Sequence, residues 1–123
     1  PPVAEDDGSA AGEDEFEGWI EEALESLPPD LRGFMSNVAI VVEEEPPAGR
    51  PLLGLYQGVP LTRRGTSYAA VPPDVITIYR GPLVRRYGFD PARLREETRR
   101  VVLHEVAHHF GISDERLREI GRY

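Results

Sequence analysis

The residues best suited to chemistry lie near the C-terminal end, where residues 104–114 read His-Glu-Val-Ala-His-His-Phe-Gly-Ile-Ser-Asp. An α-helix turns about 100° per residue, so His104 and His108 would project from one face on adjacent turns. Two imidazoles at this spacing can bind one zinc ion. Glu105 would lie about a quarter-turn around the helix, within reach of a water molecule on the metal but not of the metal itself. The spacing therefore predicts a metal site with a carboxylate placed as a general base.

A third protein ligand is expected, because catalytic zinc sites use three protein ligands and keep one position for water. Gly111 permits a left-handed turn at the helix end, after which the chain can return and present Asp114 to the metal. The alternative makes Asp114 a first-turn acid of a last helix, where the helix dipole favours it. The glycine turn favours the ligand. His109 is interpreted as a structural histidine; tuning Glu105 or holding a nearby backbone group are the alternatives.

Bound zinc would lower the pKa of its water from about 15.7 towards about 7. Glu105 would accept the proton, hydroxide would attack a polarised carbonyl, and Glu105 would pass the proton to the leaving amine. The chain has no cysteine, so any metal site must use histidines and carboxylates. These residues predict zinc as the cofactor of a hydrolytic site.

One long helix must position these side chains, and the sequence marks both of its ends. Asp90 is a good N-cap and Pro91 suits the first helical position, while Gly111 ends the helix after about Phe110. The apolar residues of its last turns take the arc nearly opposite the histidine pair: Val102, Leu103, Val106, Ala107 and Phe110. The helix can therefore rest on a sheet through one face and present the histidine pair through the other.

The other segments predict an α+β fold with helices packed on one small sheet. Apolar residues from Phe16 to Leu27 recur at helical spacing and stop at Pro28. Runs rich in β-branched or apolar residues predict strands. The predicted strands are residues 38–42, 52–56 and 75–79, with an irregular stretch at 60–74 and a short helix at 82–87 closed by Gly88.

The length of 123 residues favours one domain. Residues 1–13 are Pro, Ala, Gly, Ser and acids apart from Val3, so they are predicted to form a flexible acidic tail before a single domain at residues 14–123. No stretch approaches the roughly 18 apolar residues of a membrane span, and the acidic start lacks a signal-peptide pattern. We therefore expect a cytoplasmic protein without a membrane partner.

Charge divides the chain into two unlike halves. Residues 1–45 carry 14 acids and one arginine, whereas residues 46–123 carry 8 acids and 13 arginines, within a net charge of −8. GC-rich coding is the favoured explanation for the absence of lysine, and an anionic partner is the alternative. The arginines are scattered and lack interleaved aromatic platforms, so no nucleic-acid partner is expected.

The sequence resembles the zincin-like metallopeptidase type 1 family, a group of minimal bacterial zincins. Three segments in this order carry the resemblance, which extends over about residues 14–123: GLYQGVPLT at 54–62, PDVITIYRGPL at 73–83 and HEVAHHFGISDERL at 104–117. The resemblance implies a mixed sheet with an active-site helix beneath it. It also implies that an edge strand, drawn from residues 52–80, binds an extended substrate by backbone pairing.

The resemblance implies that His104, His108 and Asp114 bind zinc in this chain and that Glu105 is the general base. The only methionine is Met35, so the Met-turn of metzincins is absent. Nine residues follow Asp114, which leaves no second subdomain to form a deep cleft, so we expect peptides or small proteins as substrates.

The sequence leaves two other functions possible, and it leaves the residue that would stabilise the transition state unassigned. A non-catalytic zinc module that binds a protein partner is the main alternative to a peptidase. Nucleic-acid binding through the arginine-rich half is the third. Candidates for a transition-state donor are Tyr56, Tyr68, Tyr79 and the arginines, and the sequence does not choose among them. It does not indicate an oligomeric state either.

Overall fold

The computed structural model describes residues 12–58, 73–113 and 115. The helices are α1 (Glu13–Glu25), α2 (Pro29–Arg32), α3 (Arg80–Tyr87) and α4 (Pro91–His109), and the strands are β1 (Val38–Glu43), β2 (Gly54–Gln57) and β3 (Asp74–Tyr79). A 3-10 turn, Gly33–Met35, follows α2 directly. The predicted α+β class is confirmed.

The described strands form a mixed sheet of three with β3 at its centre. Strand β1 runs parallel to β3 and pairs Ile40 with Ile76, whereas β2 runs antiparallel and pairs Tyr56 with Ile76. Strand β3 is the best buried of the three, because Ile76 and Ile78 are fully enclosed. In the part of the chain that the structure describes, β2 is an edge strand, and it lies beside α4.

Helix α4 covers the sheet with the apolar arc that its sequence predicts. Val102 and Val106 are buried and join Ile76 and Ile78 in one apolar cluster. Helix α1 packs against α4 and adds three side chains to the same core: Phe16, Ile20 and Ala23. Each fully buried side chain of the size of valine or larger contributes about 1.5–3 kcal/mol, so apolar packing fixes the inner side of α4.

The ends of α4 also follow their sequence signals. The backbone N–H of Arg93 donates to Asp90 Oδ1 at 3.3 Å, and Pro91 occupies the first turn. Helix α1 begins at Glu13, inside the predicted tail; residues 1–11 of that tail lie outside the described residues. Residues 60–72 of the predicted irregular stretch also lie outside the described residues. No sequence pattern predicts α2 or the 3-10 turn, because elements of three or four residues are too short to show a period.

Ion pairs join the acidic N-terminal half of the chain to the arginine-rich half. They are Arg80–Glu44 at 2.9 Å, Arg85–Glu45 at 2.7 Å and Arg95–Glu22 at 2.8 Å. The hydrogen bond from Arg85 lowers the pKa of Glu45. The described helices include none long and apolar enough to cross a membrane.

Candidate metal centre and active site

Helix α4 brings His104 and His108 together on consecutive turns. Their ring centroids lie 4.8 Å apart, with an interplanar angle of 87°. One ligand atom from each ring and one carboxylate oxygen of Glu105 all lie within 4.8 Å of one another. Both histidines are half-buried, while Glu105 is buried. The predicted spacing is thus realised as a cluster whose donor atoms could surround one divalent metal ion.

The end of α4 fixes the ring of His108. Gly111 has a left-handed φ of 89°, as predicted; its N–H donates to the His108 carbonyl, and the Ile112 N–H donates to the Ala107 carbonyl, both at 2.9 Å. This pair of hydrogen bonds is the Schellman motif. It leaves the Ile112 carbonyl 2.9 Å from His108 Nδ1. A carbonyl only accepts, so Nδ1 carries the hydrogen and Nε2 keeps the lone pair that a metal needs.

Glu105 lies where α4 meets the edge strand β2, and it is 8% exposed. Gly54 of β2 makes this approach possible. A Cβ atom at Gly54 would lie 2.7 Å from Val101 Cγ1 and 3.2 Å from Glu105 Cγ, closer than real Cβ contacts allow without movement. A glycine in the strand therefore brings the edge of the sheet directly against the carboxylate. Two imidazoles on consecutive helix turns are donors that zinc accepts, and a carboxylate beside them could hold a water molecule on the ion, so the residues present fit zinc.

A model of the zincin-like metallopeptidase family matches residues 35–122, more than half of the chain. The chain belongs to the zincin-like metallopeptidase family. A search of the curated proteins finds no match. The zincin-like region contains all three strands together with α3 and α4, whereas α1 lies before it. Family membership and the histidine–glutamate cluster together support a divalent metal site.

The third metal ligand predicted for this zincin-like chain, Asp114, lies outside the described residues. Its role stays a prediction. The residue after it, Glu115, is helical, so the alternative of a first-turn acid also stays open.

His109 belongs to a buried network on another side of α4. Its Nδ1 lies 2.8 Å from Asp74 Oδ2, and its Nε2 lies 3.0 Å from the Phe34 carbonyl, which it must donate to. His109 and Asp74 are each only 1% exposed. Both ring nitrogens of His109 thus have protein partners, and one of these is a backbone carbonyl. The ring joins the last turn of α4 to the start of β3 and to the 3-10 turn.

Tyr56 extends this network to the edge strand. Its hydroxyl donates to Asp74 Oδ2 at 2.6 Å, so one buried carboxylate contacts both β2 and α4. Of the other tyrosine candidates for a transition-state donor, Tyr79 is 5% exposed and Tyr68 lies outside the described residues. Sequence reasoning missed Asp74. The available signal was a carboxylate immediately before a β-branched run, where a buried position would require partners.

Proposed function

We propose that this protein is a zinc-dependent peptidase with His104, His108 and Asp114 as metal ligands and Glu105 as general base. The cluster of His104, Glu105 and His108 carries the proposal, because one ligand atom from each of these side chains lies within 4.8 Å of the other two. The hydrogen bond from His108 Nδ1 to the Ile112 carbonyl supports it, since it directs Nε2 to the metal. Zinc bound there would polarise a peptide carbonyl and make a water molecule more acidic.

Glu105 is positioned to move the proton. Its carboxylate lies beside the histidine pair and is shielded from bulk water, so it can accept a proton from the attacking water and deliver it to the leaving amine. Strand β2 would bind the substrate as an added strand through its outer edge. Because Gly54 has no side chain, β2 can lie directly against Glu105. A peptide on the outer edge of β2 would therefore pass close to the Glu105 carboxylate.

Metal content and cleavage test the proposal together. We expect one zinc per chain in the wild type and in Glu105→Ala, and a loss of about 10²–10⁴ in kcat/KM for Glu105→Ala in a peptide-library digest. Glu96→Ala is the matched control, because Glu96 lies on the same helix with an exposed side chain, 3.9 Å from Arg99. Glu96→Ala should keep full activity.

A non-catalytic zinc module predicts a different result from the same experiment. It would bind zinc, cleave no peptide as the wild type, and retain a stoichiometric protein partner in Glu105→Ala. A wild type that binds no zinc would contradict both hypotheses. Cleavage that persists in Glu105→Ala would contradict the role of Glu105 as general base.

A further inference from the structure

A cavity of about 460 Å³ opens beside the histidine–glutamate cluster and runs towards the N-terminal half of α4. His104 and Glu105 line one end of it. Its volume lies within the range of small ligand pockets, about 300–1,000 Å³, and is enough for one substrate side chain with part of its backbone. The cavity adjoins the histidine–glutamate cluster of the proposed peptidase site. A peptide bound at that site would therefore place one side chain in the cavity.

The wall of the cavity nearest the cluster is apolar. Leu52 comes from the segment that leads into β2, and Val101 comes from α4, one turn before Glu105. Tyr87 closes the side contributed by α3. Such a wall favours the aliphatic part of a side chain, at about 0.8 kcal/mol for each buried methylene group.

The floor of the cavity carries a row of charges on α4: Arg93, Glu97 and Arg100. Their spacing of four and three residues places them on one helix face, and Arg100 lies four residues before His104. Arg93 Nε is 2.9 Å from Glu97 Oε2, and Arg100 Nη1 is 3.7 Å from the same oxygen. The carboxylate of Glu97 thus contacts two guanidinium groups. The Arg93–Glu97–Arg100 row carries a net charge of +1, and the second carboxylate of the cavity, Glu105, lies beyond Arg100 at the end near the histidine pair.

Arg93 lies at the end of the row that is farthest from His104, and it contacts Tyr87. Its guanidinium carbon lies 5.0 Å from the ring centroid of Tyr87, a cation–π distance. Arg100 is five residues from Glu105, a rise of about 7.5 Å along the helix. That rise corresponds to about two residues of an extended peptide. Arg100 is therefore the cation within reach of a side chain close to the scissile bond.

We propose that this cavity is a specificity subsite that selects a glutamate side chain within two residues of the scissile bond, with Arg100 as the specificity-determining residue. The proposal rests on the proposed peptidase function. The aliphatic stem of glutamate would pack on Leu52 and Val101, and its carboxylate would join the Arg93–Glu97–Arg100 row. The net charge of −8 of the whole chain favours basic peptides at long range, so a preference for glutamate would come from the subsite.

The test uses quenched peptides in sets of four, and the peptides of a set differ only in having Glu, Gln, Leu or Lys at one position. One set is made for each of the two residues on either side of the scissile bond, and the comparisons below refer to the set whose varied side chain enters the cavity. We expect kcat/KM for the Glu peptide to exceed that for the Gln peptide by about tenfold, as expected for one charge-assisted contact. Arg100→Gln should bring this ratio close to one. Arg99→Gln removes the same charge from the next position, which lines a different surface with Trp19 and Glu22, and it should keep the ratio.

Binding provides a second readout that does not depend on catalysis. Fluorescence anisotropy with zinc-loaded Glu105→Gln should show the same order of affinities, with the difference between Glu and Gln lost when Arg100→Gln is added. If the wild type cleaves no peptide but this binding order holds, the peptidase proposal fails and the subsite stands. Equal binding of the four peptides in every set, or an equal loss of the Glu-to-Gln ratio in Arg99→Gln and Arg100→Gln, would overturn the subsite.

Discussion

Two adjacent histidines at the end of α4 should respond in opposite ways to substitution, because their rings have different partners. His108 lies in the histidine–glutamate cluster and uses Nδ1 for the Ile112 carbonyl, whereas both nitrogens of His109 contact protein groups outside that cluster. His108→Ala should weaken zinc binding by about 100-fold or more, since even outer-shell partners are worth about 10–100-fold. His109→Gln should bind one zinc and be less stable. Competition with a chelating dye measures the affinity, and zinc loss confined to His109→Gln would refute the assignment.

The carboxylate of Asp74 should be a main determinant of stability, because it is buried and contacts both His109 and Tyr56. Removing one member of a buried hydrogen-bonded network leaves its partners unsatisfied, at about 1–3 kcal/mol for each, so we expect a loss of that size or larger for Asp74→Ala in urea unfolding. Tyr56→Phe removes the hydrogen bond from the Tyr56 hydroxyl to Asp74 and should cost about 0.5–1.5 kcal/mol. Asp30→Ala is the exposed control; similar midpoints for Asp74→Ala and Asp30→Ala would show that the network contributes little.

The contact between β2 and α4 makes a prediction at the level of elements. Gly54→Ala would force its new methyl group against Val101 and Glu105, and overpacking of this kind costs about 1–3 kcal/mol. It should also lower kcat/KM, because Glu105 would be displaced. Gly18→Ala is the control: Gly18 lies within α1 with nothing within 4 Å of a new Cβ, so it should gain about 0.5–1 kcal/mol.

A double variant distinguishes two causes of the stability loss expected for Gly54→Ala, namely steric crowding by the new methyl group and reduced backbone freedom. Adding Val101→Ala removes the methyl group that a Cβ at residue 54 would meet at 2.7 Å. The pair should recover part of the stability lost by Gly54→Ala alone. Additive losses in the double variant would show that the close approach of β2 to α4 is not the cause.

The sequence predicted the helix-bound part of the site because that part depends on local spacing. Asp90, Pro91 and Gly111 mark the ends of α4 through capping preferences that act within a few residues, and the placement of His104 and His108 follows from the helical period. The contacts of Asp74 and Gly54 could not be predicted in the same way. Asp74 is 35 residues from His109, and Gly54 is 47 residues before Val101, so only the pairing of the strands and the packing of α4 bring them together.

At the scale of the molecule, ion pairs connect the acidic half of the sequence to the arginine-rich half. Glu22, Glu44 and Glu45 of the acidic half each pair with an arginine of the other half. Exposed pairs of this kind contribute little to stability individually. These three arginines therefore have acidic partners within the chain.

Removal of the metal should leave the protein folded, because the apolar core lies on the inner side of α4 and needs no ligand atoms. Phe16, Ile76 and Val102 are fully buried in this core, while His104 and His108 lie on the half-buried outer side. We expect the chelated protein to keep its near-ultraviolet circular dichroism, since Trp19 packs beside Phe16 with ring centroids 5.8 Å apart. Zinc at a hundred times its Kd should add about 2.7 kcal/mol, raising Tm in the wild type but not in His108→Ala. Loss of the near-ultraviolet signal on chelation, as in a zinc finger that unfolds without metal, would show that the ion is part of the core.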